Sequence, residues 1–131
     1  MKRIVFLIPL VLTGCFGGAA VGNLKTTCVK KDYSSSIIET KEYTIYYSKG
    51  NVDKVVINDT FDTSIDMSNA IKSYKKAYEN EVGVTVYTKD NSITYEFELK
   101  NIKDEIKKDF NLSNKYNDQV KKLKESGAVC D

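Results

Sequence analysis

The sequence predicts an α+β domain: an antiparallel sheet of about five strands with amphipathic helices packed on one face. Three observations carry that expectation. Apolar and polar residues alternate strictly through Ile93–Leu99, as in a strand with one face buried and one wet. Pairs of β-type runs are separated by short turn sequences, the arrangement of hairpins. Elsewhere apolar residues recur at spacings of three and four, which makes the stripe of a helix that covers a sheet.

Leu24–Lys30 (LKTTCVK) opens the domain as a short strand. Ile37–Ser48 is a long one, with Tyr43, Ile45 and Tyr47 on one face. Lys49-Gly50-Asn51 is a turn, and Val52–Phe61 returns with Val55, Ile57 and Phe61 inward. A helix follows, striped by Met67, Ala70, Ile71, Tyr74, Ala77 and Tyr78, with Ser64 or Asp66 as its N-cap. Val82–Thr88 and Ser92–Lys100 form a second hairpin around Lys89-Asp90-Asn91, with Ile93, Tyr95, Phe97 and Leu99 inward. Asn101–Phe110 is a short helix with Ile102 and Ile106 on one side. Ser113–Ser126 is another, with Tyr116, Val120 and Leu123 facing in and Gly127 suited to its C-terminal stop. The closing AVCD runs back toward Cys28.

The chain begins with an address. Lys2-Arg3 is a basic start, and Ile4–Leu12 (IVFLIPLVL) is the apolar core of an export signal. Leu12-Thr13-Gly14-Cys15 then resembles the bacterial lipobox, an aliphatic residue three before a cysteine and a small one directly before it. On this reading residues 1–14 are a lipoprotein signal peptide and the Cys15 thiol accepts a diacylglyceryl group. Residues 15–24 form a lipidated, Gly-rich tether, and residues 25–131 are one α+β domain. A tether of this kind reaches roughly 17 Å, which holds the domain near the membrane. The competing readings are an uncleaved membrane helix, ordinary signal cleavage near Ala19-Ala20, and a buried core segment. Pro9 and the sequence FGGAAVG weigh against the first. The expected location is the extracytoplasmic face of the cell membrane, with the lipid as the membrane contact.

With Cys15 acylated, Cys28 and Cys130 remain as one possible disulfide pair. Such a bridge closes a loop of about 100 residues, which the chain-entropy model values at about 4.7 kcal/mol. The alternatives are two free buried thiols or a redox-active pair. No C-x-x-C motif supports the latter.

These segments resemble the small bacterial lipoproteins of the YehR type. The likeness is carried by LTGC, the early Thr26-Thr27-Cys28, the strand EYTIYY, the helix end KKAYEN, the hairpin GVTVYTKDNSITYEF and the closing KKLKESGAVC. It covers most of residues 24–131 and implies an α+β envelope lipoprotein. It carries over no catalytic residue, because that family has no assigned activity.

The composition excludes several functions. The 131 residues contain no His and no Trp, so the commonest general base, metal ligand and sugar-stacking ring are missing. Lys2 and Arg3 account for the whole net charge of +2, and the remaining basic and acidic residues are interspersed, which is unsuited to nucleic acid. No phosphate-binding glycine motif is present. Asp59, Asp62 and Asp66 (NDTFDTSID) are the densest acid cluster, expected as a polar loop and helix cap. Glu96 and Glu98 share one strand face about 7 Å apart. They are expected to be solvated, and an enzyme working with these carboxylates alone is the least favoured reading. Among the nine tyrosines, Tyr33, Tyr46 and Tyr87 are the candidates to line a ligand groove, since Tyr43, Tyr47, Tyr74, Tyr78, Tyr95 and Tyr116 fit core stripes.

The expectation is thus a monomeric, membrane-anchored surface lipoprotein without enzymatic activity or cofactor. It would act as an interaction or accessory module for an envelope protein partner. The alternative is a small-ligand-binding lipoprotein that uses a groove between sheet and helices.

Overall fold

A computed structural model describes residues 24–131; Cys15, the expected signal peptide and the tether ahead of Leu24 lie outside the described residues. The described chain runs β1 (Leu24–Tyr33), β2 (Ile38–Ser48), β3 (Asn51–Asp62), α1 (Ser68–Tyr78), β4 (Val84–Lys89), β5 (Ser92–Glu98), α2 (Asp104–Asp109), α3 (Tyr116–Glu125) and β6 (Val129–Cys130). The class is α+β. The strands form one six-stranded antiparallel sheet in the order β4-β5-β3-β2-β1-β6. The sheet is larger than the expected five strands because the closing tail adds β6, whose two residues are too few to show a period.

Pleating explains the core. Residues opposite one another in an antiparallel ladder point to the same face. One cross-sheet row runs Thr26, Ile45, Val55, Phe97 and Val84; the next runs Cys130, Cys28, Tyr43, Ile57, Tyr95 and Val86. Most of these side chains are buried, while the alternate residues on the far face stay wet. Ile71, Ile106 and Leu123, one from each helix, belong to the same buried cluster. Tyr116 of α3 stacks on Tyr47 of β2 with ring centroids 3.7 Å apart, and its hydroxyl shares a 2.6 Å hydrogen bond with Thr26. Tyr78 of α1 meets Tyr95 of β5 edge-on at 6.1 Å.

Two turns require glycine. Lys49 and Gly50 have φ of 52° and 78°, so the β2–β3 hairpin turns on two left-handed residues, a geometry whose twist matches the strands. Gly83 has φ of +81°, and a Cβ there would meet Asn101 Cβ and Ile102 Cγ2 at 2.9 Å. That turn moves the start of β4 to Val84, two residues later than the alternation suggested, and leaves Val82 exposed. The N-terminus of α1 also differs in detail. Ser68 is its first residue, and Asp66 Oδ1 accepts from the Ser68 N–H at 2.9 Å, so the capping carboxylate lies one residue outside the Met67 cap position.

Cys28 and Cys130 sit at disulfide distance, their sulfurs 2.00 Å apart across the β1–β6 pair and 102 residues apart in sequence. The Asp131 N–H donates to the Thr27 carbonyl at 3.0 Å, and Asp131 Oδ1 accepts from the Thr27 N–H at 3.0 Å. Inside α3, Gln119 is 0% exposed. Its Oε1 accepts from the Ser113 N–H at 2.8 Å and its Nε2 donates to the Asn111 carbonyl at 3.0 Å, tying the α2–α3 connection to the helix.

Replacing both Cys28 and Cys130 by alanine is expected to lower unfolding stability by about 2–4 kcal/mol, measured by urea denaturation against the oxidised chain. Reductant should abolish that difference. Gln119→Leu should cost roughly 1–3 kcal/mol in the same measurement, because it leaves the part-buried Ser113 N–H and Asn111 carbonyl without their partner.

Candidate functional site

The inward face changes character along the long strands. Beyond the apolar rows, the next cross-strand row is Lys30 on β1, Lys41 on β2 and Asp59 on β3, continued by Ile93 on β5 and Thr88 on β4. One row further, Asp32 pairs with Glu39, and Glu39 with Phe61. These polar rows floor a groove of about 470 Å³, a size suited to a small ligand.

Its walls come from three directions. Tyr74 and Tyr78 lie one turn apart on α1, and Tyr95 rises from β5. Asp109, Phe110 and Asn111 form the end of α2. Asn111 has φ of 58°, a left-handed stop that asparagine tolerates, and the Leu112 N–H closes back on the Lys107 carbonyl at 2.7 Å. This turn seats Phe110 within the aromatic wall, its ring centroid 4.6 Å from Phe97 and 4.9 Å from both Tyr95 and Tyr78. Leu123 and Ser126 of the α3 end complete the lining.

Charges in the groove are unevenly partnered. Lys41 Nζ lies 3.8 Å from Glu39 Oε2, and Lys30 Nζ lies 3.8 Å from Asp32 Oδ2. Asp109 Oδ2 accepts from the Tyr78 hydroxyl at 3.1 Å. Asp59 is only 8% exposed, and its Oδ1 is buried without a hydrogen-bond donor. Burial, and then a hydrogen bond to the Glu39 carboxylate, push the Asp59 pKa up to about 8. At neutral pH Asp59 therefore keeps a proton, which it can donate to Glu39. Burial disfavours the charged form of Lys41, but Glu39, Tyr43, Asp59 and Asp32 outweigh it and hold its pKa above the ordinary value. Burial and then the neighbouring Asp59 also raise the Tyr95 pKa.

Several expected site residues lie elsewhere. Asp59 is not part of a polar loop; it occupies an inward position of β3, whereas Asp62 is exposed at the strand end and Asp66 serves the start of α1. The alternation Val55-Ile57-Asp59-Phe61 already carried that signal. Tyr33 and Tyr87 do not line the groove and are 72% and 53% exposed, and Tyr46 lies on the far face, with Lys54 Nζ 5.0 Å from its ring centroid. The groove uses Tyr43, Tyr74, Tyr78 and Tyr95 instead, because its floor is the inward face on which the apolar stripes also lie. Glu96 and Glu98 project from the face opposite the core, and Glu98 accepts from Asn101 Nδ2 at 2.9 Å. Among the described residues, no group of three or more Cys, Asp or Glu is arranged to hold a metal ion. No helix among them is long and apolar enough to cross a membrane.

Stability should report the Asp59 proton. The unfolded carboxyl releases it near 3.8 and the folded one near 8, so the folded state binds more protons between those limits. Unfolding stability should therefore fall as pH rises from about 4 to about 8 and level off above. Denaturation at a series of pH values checks this, and Asp59→Asn should flatten the profile.

No protein-family model, curated protein or solved structure matches this chain.

Proposed function

We propose that the chain is a membrane-anchored bacterial surface lipoprotein, similar to the YehR type, whose domain binds a small ligand in the groove between sheet and helices. Of the two expected roles, ligand binder and protein-interaction module, the groove favours the first. The observation that carries this reading is Asp59, buried with Oδ1 unpartnered at the floor of a 470 Å³ groove. A buried carboxyl is costly to keep, and polar groups converging with aromatic walls are what a recognition site needs. In this reading the three helices act together as a cover over one sheet face, and the groove is the part of that face they leave open. The domain works as a monomer and performs no reaction. The lipid on Cys15 and the short tether hold the groove near the membrane, where it meets solutes of the envelope.

Two measurements test this. Thermal-shift screening of a metabolite library should find a compound that raises Tm, and Tyr74→Ala should reduce the shift at least fivefold while leaving the unliganded Tm nearly unchanged, since Tyr74 is 45% exposed. A library without any such compound would return the domain to the interaction-module reading. Separately, the mature protein from a bacterial host should begin at Cys15 with an acyl mass, and Cys15→Ser should release it from the membrane fraction. Mature chains that retain Met1 would overturn the anchor.

A further inference from the structure

We infer that the ligand carries a primary ammonium group, seated against Asp59 and Glu39 at the groove floor, with its organic body along the tyrosine wall. This deepens the ligand-binding reading and rests on it.

The charge inventory points to a missing cation. Lys30 and Lys41 are each within 3.8 Å of an acid, Asp32 and Glu39 respectively. Asp59 and Asp109, on the floor and the rim, form no ion pair among the described residues. An uncharged ligand would leave Asp59 protonated and Asp109 without a counter-charge.

The geometry narrows the kind of cation. Asp59 Oδ1 is buried and lacks a hydrogen-bond partner, so a group seated against it must bring a donor. A primary ammonium supplies three donors, enough to bridge Asp59 and Glu39, whereas a quaternary amine supplies none. Tyr74, Tyr78 and Tyr95 add ring faces that favour a cation and cover its hydrocarbon part.

Seating the ammonium exchanges one proton for one cation. Asp59 carries a proton in the empty groove, shared with Glu39, and the groups facing it on its own sheet are Lys30, Asp32, Lys41, Tyr43 and Tyr95. From the helices it is faced by Tyr74, Tyr78 and Asp109. When R–NH₃⁺ arrives, the Asp59 O–H bond breaks, the proton leaves to buffer, and the carboxylate pairs with the ammonium. The net charge of the groove is unchanged.

The test uses isothermal titration at pH 7 with tyramine and putrescine as probes. Tyrosol and 1,4-butanediol replace each ammonium by hydroxyl, and choline is a cation without N–H. Tyramine or putrescine should bind at least tenfold more tightly than its matched alcohol and than choline. Comparing phosphate with Tris buffer should show release of about one proton per ligand bound. Asp59→Asn, nearly isosteric and checked for folding by circular dichroism, should lose both the affinity and the proton release. Equal binding of the alcohols, or of choline, overturns the ammonium seat and leaves the groove as a binder of another ligand. Binding without proton release overturns the exchange at Asp59. If the amines fail while an uncharged library compound shifts Tm through Tyr74, the ammonium inference alone falls. If no compound of either set binds, the groove reading falls and the inference with it.

Discussion

The pairing of β2 with β3 organises this domain. Eleven register partners run from Ile38–Asp62 to Ser48–Asn51, the longest ladder in the sheet. Because opposite residues share a face, that register sends Tyr43 with Ile57 and Ile45 with Val55 into the core, and sends Lys41 with Asp59 to the same side. The pleat makes no distinction between apolar and charged side chains. A ladder long enough to build the core extends past the core, and what it carries inward there is charge.

That excess length creates both the opportunity and the cost of the groove. Charged side chains on an inward face must be paired, hydrated or neutralised. Lys30 and Lys41 are paired with acids, and Asp59 takes a proton. The aromatic wall works in the other direction. Phe110, next to the Asn111 turn that Gln119 holds, packs against both Tyr78 and Tyr95. The domain thus holds a polar floor against an aromatic wall.

Cys28 and Cys130 connect this site to the chain end. Cys28 sits in the row just beside Lys30 and opposite Tyr43, so the cross-link to β6 steadies the strand that borders the groove. It also fixes the terminus of the domain against β1, the strand that the expected tether leads into.

By itself the sequence determined which of the longer segments become strands and helices, and which side of each is apolar; the two-residue β6 lay beyond it. Period two in Ile93–Leu99 and the three-four stripe ending at Tyr78 are local properties of a few consecutive residues. The cysteine pair was legible for a different reason, since only two thiols remained after Cys15 was set aside. What only the tertiary structure decided is which residues from distant segments stand side by side. Lys30, Lys41 and Asp59 form one row solely through the register of three strands, and Tyr74 and Asp109 join them through helix placement. Asp59 shows the limit most clearly. Its position in β3 was readable from alternation, but its burial was not, because burial depends on what the rest of the chain lays over that face.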